Sequence, residues 1–145
     1  MIEIRDFDPA DLMLLPVQPG QQGDVGLLDG GAQILAMARG GPAFTAWRDA
    51  QPIACAGLYE NHARWATAWA VLSPMAPAEL LAITRRCRAA IAASGYARID
   101  CLVRRGFDAA REWAWMLGFA QETTLGQIWP DGGDALLFAR FKRND

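Results

Sequence analysis

The sequence predicts an α+β domain of three layers, a mixed central sheet of six to seven strands with helices on both faces. Three observations carry that expectation. The runs AFTAWRD, PIACAGLYE and RWATAWAVLS are short and apolar, with only the polar breaks DAQP and ENHA between them, as successive antiparallel strands require. A long helical segment, about Ala78 to Ser94, then stands between two strand patterns, which demands a crossover and parallel pairing there. The length of 145 residues, 52% hydrophobic and 21% charged, suits one globular domain covering 1–145.

Each element has a local reason. In IEIRDF, Ile2 and Ile4 alternate with Glu3 and Arg5, the period of a half-buried strand. DPADLMLL supplies Asp8 as a helix N-cap, Pro9 at the first helical position and Asp11 in the first turn. PVQPGQQG reads as a loop, and a second helix is expected over Val25–Ala38 despite Gly30 and Gly31, ended by RGGP. Three strands follow. In the long helix Leu80, Ile83, Cys87 and Ile91 form the buried stripe and Arg85, Arg86 and Arg88 face outward, with SGYA as terminator. ARIDCLV puts Ile99, Cys101 and Val103 on one face of a strand. Next, Phe107, Ala110, Ala114 and Leu117 recur at helical steps, and Gly118 follows the last of them, where a left-handed residue costs least. A strand near Phe119–Thr124, a Pro-Asp-Gly-Gly turn and the strand DALLFARF complete the order βααβββαβαββ.

Composition excludes several functions. A net charge of −2 and a pI near 5.4 give no positive field to attract nucleic acid or anionic lipid. Cys55, Cys87 and Cys101 are scattered through apolar segments, which suggests buried thiols in a reducing compartment; with one histidine and no close cysteine pair, no metal site is expected. The opening MIEIRDFDPADL lacks the apolar core of a signal peptide. The apolar stretch Trp65–Ile83 is broken by Ser73, Pro74, Pro77 and Glu79, so no membrane helix is expected. A soluble cytoplasmic protein, in a host cell or a virion if phage-encoded, is the expectation.

VRRGFDAAREWAWMLGF keeps Val103, Ala110, Gly118 and Phe119 in register with V-x-x-x-N-x-x-A-x-x-L-Y-x-x-x-G-F, and IEIRDFDPADL matches a usual first strand and helix. In these residues and in element order the chain resembles the GNAT superfamily of acyl-CoA-dependent N-acyltransferases. More narrowly, AWAVLS, ITRRCRAAI and VRRGFDAAREWAWMLGF resemble a GNAT-like group of tailed phages, a group that includes virion-assembly proteins. The resemblance implies that the fourth strand splays from the fifth and that acetyl-CoA or another acyl-CoA lies in the gap. It places the cofactor against Ala70, Val71, Leu72 and Ser73, the loop residues Ala78 and Glu79, and Phe107, Ala110 and Arg111. SPMAPAE stands where the family has its pyrophosphate loop.

That loop departs from the family pattern. Between Ser73 and Glu79 there is neither a glycine nor a basic residue, Pro77 removes one N–H donor, and Glu79 sets a carboxylate where a phosphate would bind. Two unit charges about 6 Å apart repel by roughly 3 kcal/mol at an effective dielectric near 20, a hundredfold in affinity. Arg85 and Arg86 stand two turns further on. The family's proton-donating tyrosine maps to Ala114 and its helix-start asparagine to Phe107, and neither side chain transfers a proton. Glu60 and Tyr59, with His62 beside them, are the acid–base candidates, although a lone histidine in a polar turn is ordinarily plain surface.

The tryptophans are mostly core material. Trp65 and Trp69 share a strand face, while Trp113 and Trp115 cannot both face the core of one helix, so one of the set stands at the surface. Two functions follow. One is an N-acyltransferase moving an acyl group from acyl-CoA to an amine on a small molecule or protein. The alternative is an inactive GNAT-fold protein binding phage structural proteins in a virion or its assembly.

Overall fold

Alternation of Ile2 and Ile4 with exposed neighbours does form a strand, β1 (Ile2–Asp6), in the computed structural model, which describes residues 2–17, 36 and 39–142. Helix α1 (Pro9–Leu14) starts as its sequence dictates: the Asp8 side chain accepts from the Ala10 N–H at 2.9 Å, and Asp11 accepts from the Asp8 N–H at 3.1 Å. The helix expected over Val25–Ala38 falls almost wholly outside the described residues. The chain resumes with β2 (Ala43–Arg48), β3 (Gln51–His62), β4 (Trp65–Leu72), α2 (Pro77–Ser94), β5 (Arg98–Arg104), α3 (Asp108–Met116), β6 (Ala120–Leu125) and β7 (Ala135–Phe141).

The strands make one seven-stranded sheet in the order β1-β2-β3-β4-β5-β7-β6. All neighbours are antiparallel except β4 and β5, the pair joined by the α2 crossover. One strand boundary differs from expectation. ENHA is mostly strand, because Glu60 pairs with Ala66 and His62 with Trp65 around a bulge. This end of the hairpin is exposed, so nothing requires it to be apolar.

Helices cover both faces. On one, Ile83, Cys87 and Ile91 of α2 and Ala114 of α3 pack on Ala54, Ala56, Leu58, Ala66, Leu72 and Val103. On the other, Leu12 of α1 and Leu15 just after it meet Cys55, Trp69 and Val71, while the Thr45 hydroxyl donates to the buried Asp11 carboxylate at 2.6 Å. The stripe on α2 differs by one position: Thr84 is buried, its hydroxyl donating to the Leu80 carbonyl at 2.6 Å, and Leu80 is half-buried. Glycine 118 has φ +97° and closes α3 as the sequence predicts, with its N–H donating to the Trp115 carbonyl at 3.0 Å. Among the described residues no helix is long and apolar enough to cross a membrane.

Candidate active site

The parallel pair decides the site. β4 and β5 are in register only at Trp65↔Arg98, Ala66↔Ile99 and Thr67↔Asp100; beyond Thr67 and Asp100 the two strands part. The closed end of this wedge is tied by side chains. Asp100, 5% exposed, accepts from Trp65 Nε1 at 3.0 Å and Thr67 Oγ1 at 2.9 Å, and Arg98 bridges it to Glu122. A buried carboxylate in this position needs several donors, and β4 and β5 both supply them.

The open end leads into a cleft of about 670 Å³. Ala68, Trp69, Ala70, Leu72 and Ser73 form one wall, Cys101, Leu102 and Val103 the other, and Ala110, Trp113 and Ala114 of α3 close it on one side. Burial holds the Cys87 and Cys101 thiols of its lining up at about 12, so both stay protonated at neutral pH and serve as wall rather than nucleophile. Ser73 of this lining has a buried side-chain oxygen with no hydrogen-bond partner among the described residues; Trp69 Nε1 is likewise unpartnered, but its ring packs on the α1 face against Phe7. The indole of Trp69 rests on Gly57, where a Cβ would stand 2.8 Å from Nε1 and 2.9 Å from the Pro42 carbonyl; only glycine fits. Trp113 reaches from α3 to α2, its Nε1 donating to Thr84 Oγ1 at 2.8 Å.

At the mouth, α2 begins as its sequence implies, with Pro77 in the first turn and no capping side chain on Ala76. Glu79 fills the gap. Its Oε1 accepts from the Ala76 N–H at 2.9 Å, and Arg48, at the end of β2, grips the same carboxylate with Nη2 at 2.7 Å from Oε1 and Nε on Oε2. The Arg48 hydrogen bond, reinforced by the Ala76 N–H, brings the Glu79 carboxyl down to about 2. The expectation of an uncompensated negative charge at this helix start is therefore corrected: a cation 31 residues away in sequence cancels it. The arginine stripe of α2 does face outward, with Arg85, Arg86 and Arg88 all exposed. Arg86 lies over the Phe44 ring at 5.8 Å on the cleft lining, and Arg88 donates to the Met116 carbonyl at 3.1 Å; the exposed tails of both find partners on neighbouring elements.

The residues singled out from the sequence fall in five places. Ala70, Leu72, Ser73 and Ala110 line the cleft. Val71 points to the opposite face, against Leu15 and Cys55, and Phe107 and Arg111 line a separate shallow depression with Arg104 and Arg105. Ala78 and Glu79 stand at the start of α2 rather than in the cleft lining. Tyr59 and Glu60 lie toward the far end of β3: the Tyr59 ring packs beside Gly40, and Glu60 Oε1 accepts from Tyr96 Oη at 2.8 Å. His62 Nδ1 accepts from the Arg64 N–H at 3.1 Å in the turn. None of these three lines the cleft, whose lining carboxylate is Asp6. Arg48 and Asp100 were not singled out; only their partners, distant in sequence, reveal them. Trp115 is the exposed tryptophan, at 74%. Among the described residues no group of three His, Cys, Asp or Glu gathers to hold a metal ion.

No family model and no curated protein matches the chain by sequence. Solved structures do match in fold. Ard1 from Thermoplasma volcanium superposes with a TM-score of 0.79 at 16% identity, covering 99% of each chain. The ribosomal-protein-S18-alanine N-acetyltransferase of Escherichia coli gives 0.76 at 19%, covering 100% of this chain and 96% of the other. YncA of Salmonella typhimurium, in a structure with its cofactor acetyl-CoA, gives 0.74 at 11%, covering 99% and 95%. The splayed parallel pair, the crossover helix and these superpositions agree: the chain has the GNAT acetyltransferase fold.

Proposed function

We propose that this protein is an N-acyltransferase that takes an acyl-CoA thioester between β4 and β5 and passes its acyl group to an amine on a small molecule or protein. The observation that carries this reading is the wedge: a parallel ladder that stops after Thr67 and Asp100 and opens onto an apolar cleft. The residues present fit such a group. Ser73 Oγ is a buried polar atom that wants a partner, and an amide-rich arm offers one. Ala70, Leu72 and Ala110 leave room beside it. Arg48 removes the electrostatic objection at the start of α2, where Ala78 and Glu79 would meet the phosphates. Arg111 and Phe107, on the neighbouring depression, would meet the nucleotide end.

When bound, the thioester supplies the activated acyl group. The chain supplies position more than proton transfer, since Ala114 and Phe107 carry no acid. Holding an amine against a fixed acyl carbon can itself supply much of the rate. Glu60 and Tyr59, outside the cleft lining, would exchange protons with the amine through water. The activities of structural neighbours, acetyl transfer to an alanine of ribosomal protein S18 among them, support the reaction class and leave the acceptor open between small molecules and proteins.

The test is a thermal titration with acetyl-CoA. Ligand at a hundred times its dissociation constant adds about 2.7 kcal/mol of stability and a clear rise in Tm. No rise at millimolar acetyl-CoA or with a longer acyl-CoA, with a GNAT enzyme as positive control, overturns the reading. That outcome would favour the second one, a GNAT-fold protein that binds phage structural proteins, for which the missing acid at Ala114 and the exposed Trp115 and Met116 speak.

A further inference from the structure

The cleft is larger and more apolar than an acetyl group requires. Its lining does not stop at the wedge. It continues past β4 along residues of β3, β2 and β1, out to a rim at Arg5, Asp6 and Arg86. Strands lie about 4.8 Å apart, so the three steps from β4 to β1 span roughly 14 Å. Within that span the walls are Phe44, Ala56, Leu58 and Ala68 from the sheet, with Ala90 and Ile91 on the facing flank of α2. Alanines at Ala56, Ala68 and Ala90 keep the space open; larger side chains there would fill it. The charged groups stand only at the outer rim, where Arg86 lies over the Phe44 ring and leaves the interior apolar.

We infer that this extension is an acyl-chain chamber, and that the donor substrate is a medium-chain acyl thioester rather than acetyl-CoA. The inference rests on the thioester reading above and adds the chain length. An extended chain advances roughly 1.2 Å per bond, judged from the reach of three backbone bonds per residue, so about 14 Å holds a tail of some ten to twelve bonds. Each methylene moved from water into the chamber is worth about fourfold in affinity, or about 0.8 kcal/mol. A pocket of this size with apolar walls and a few polar groups at one end is what binding a chain with a polar head demands.

The experiment is a binding series on the full chain with CoA, acetyl-CoA, hexanoyl-CoA and decanoyl-CoA, read by calorimetry. The expected result is affinity rising about fourfold per methylene to hexanoyl and beyond, giving decanoyl-CoA more than about a hundredfold advantage over acetyl-CoA. Ala90→Leu, and independently Ala56→Val should the first fold poorly, fill the chamber and lower the decanoyl-to-acetyl ratio by at least tenfold. Acetyl-CoA binding with no dependence on chain length overturns the chamber and leaves the acyltransferase reading standing. Binding by no thioester at all removes both. A chain-length preference unchanged in the folded filled variants places the tail elsewhere and also overturns the inference.

Discussion

Arg48, the last residue of β2, holds Glu79 in the first turn of α2 through a two-pronged ion pair, with Nη2 2.7 Å from Oε1. A carboxylate at a helix start favours the helix and opposes an incoming phosphate, and the guanidinium removes the second effect while keeping the first. Arg48→Ala is therefore expected to weaken acyl-CoA binding on the order of tenfold to a hundredfold, the effect of one uncompensated charge about 6 Å from the diphosphate. The loss should shrink as salt is raised. Calorimetric titrations at two ionic strengths check both parts.

The same pair sets an acid dependence. The Glu79 carboxyl is held down to about 2 by Arg48 and the Ala76 N–H, against an ordinary value of 4.5. A depressed carboxyl stabilises the folded state above its unfolded value and loses that contribution as pH falls toward its folded one. Glu79→Gln should thus lower the urea midpoint at pH 7. Between about pH 4.5 and pH 2 the gap to the parent should close. A gap that stays constant from pH 7 to pH 2 would show that the carboxylate's charge plays no part.

At the closed end of the wedge, Asp100 is the shared acceptor for Trp65, Thr67 and Arg98. Asp100→Ala leaves an indole N–H and a half-buried guanidinium without their acceptor, and a loss of about 2–3 kcal/mol is expected by urea denaturation. Trp65→Phe removes one donor from the network and should cost about 1 kcal/mol. The two substitutions touch the same carboxylate, so their costs should add up to less than the sum, and a double-mutant cycle measures the coupling.

How much of this could be read from the sequence depends on the range of the interaction. Period-two alternation in IEIRDF, the Asp8-Pro9 start and the glycine after Leu117 are local signals, and each produced the element expected of it. The wedge was legible at one remove, because a long helix between strands forces a parallel pair, and the family resemblance placed the splay there. Arg48 on Glu79 was not legible. Nothing within a turn of either residue marks the other, and a first-turn Glu with no nearby cation reads as a bare charge. The outward arginine face of α2 was legible from helical periodicity, but not that Phe44 lies within reach of Arg86. The acid–base candidates chosen for their chemistry, Tyr59 and Glu60, sit where β3 runs past the cleft, because the strand continues into the polar break expected to end it, as far as His62.

Glycine 118 tests the local end of that range. With φ +97° it sits in the left-handed region just after α3, and its nearest neighbour beyond the helix, the Arg140 side chain, leaves 3.7 Å. Space is therefore not the constraint; backbone conformation is. Gly118→Ala should cost about 1 kcal/mol, and Gly118→Asn less, since asparagine tolerates this region better than alanine. Equal losses for the two variants would point to a steric origin instead.

Ser73 separates stability from binding. Its hydroxyl, in a residue only 5% exposed, lies in the cleft lining without a hydrogen-bond partner among the described residues. A buried polar group left unsatisfied costs about 1–3 kcal/mol, so Ser73→Ala, which removes the group at nearly constant volume, should make the ligand-free protein more stable by about 1 kcal/mol. If the hydroxyl is kept for an amide of the cofactor arm, the same substitution should lower acyl-CoA affinity by up to about tenfold, one hydrogen bond's worth. The two signs oppose each other, and no purely structural role produces both. Chemical denaturation of the ligand-free variant and a thioester titration on the same preparation decide it. A variant that is more stable and binds as tightly as the parent would remove Ser73 from the binding surface.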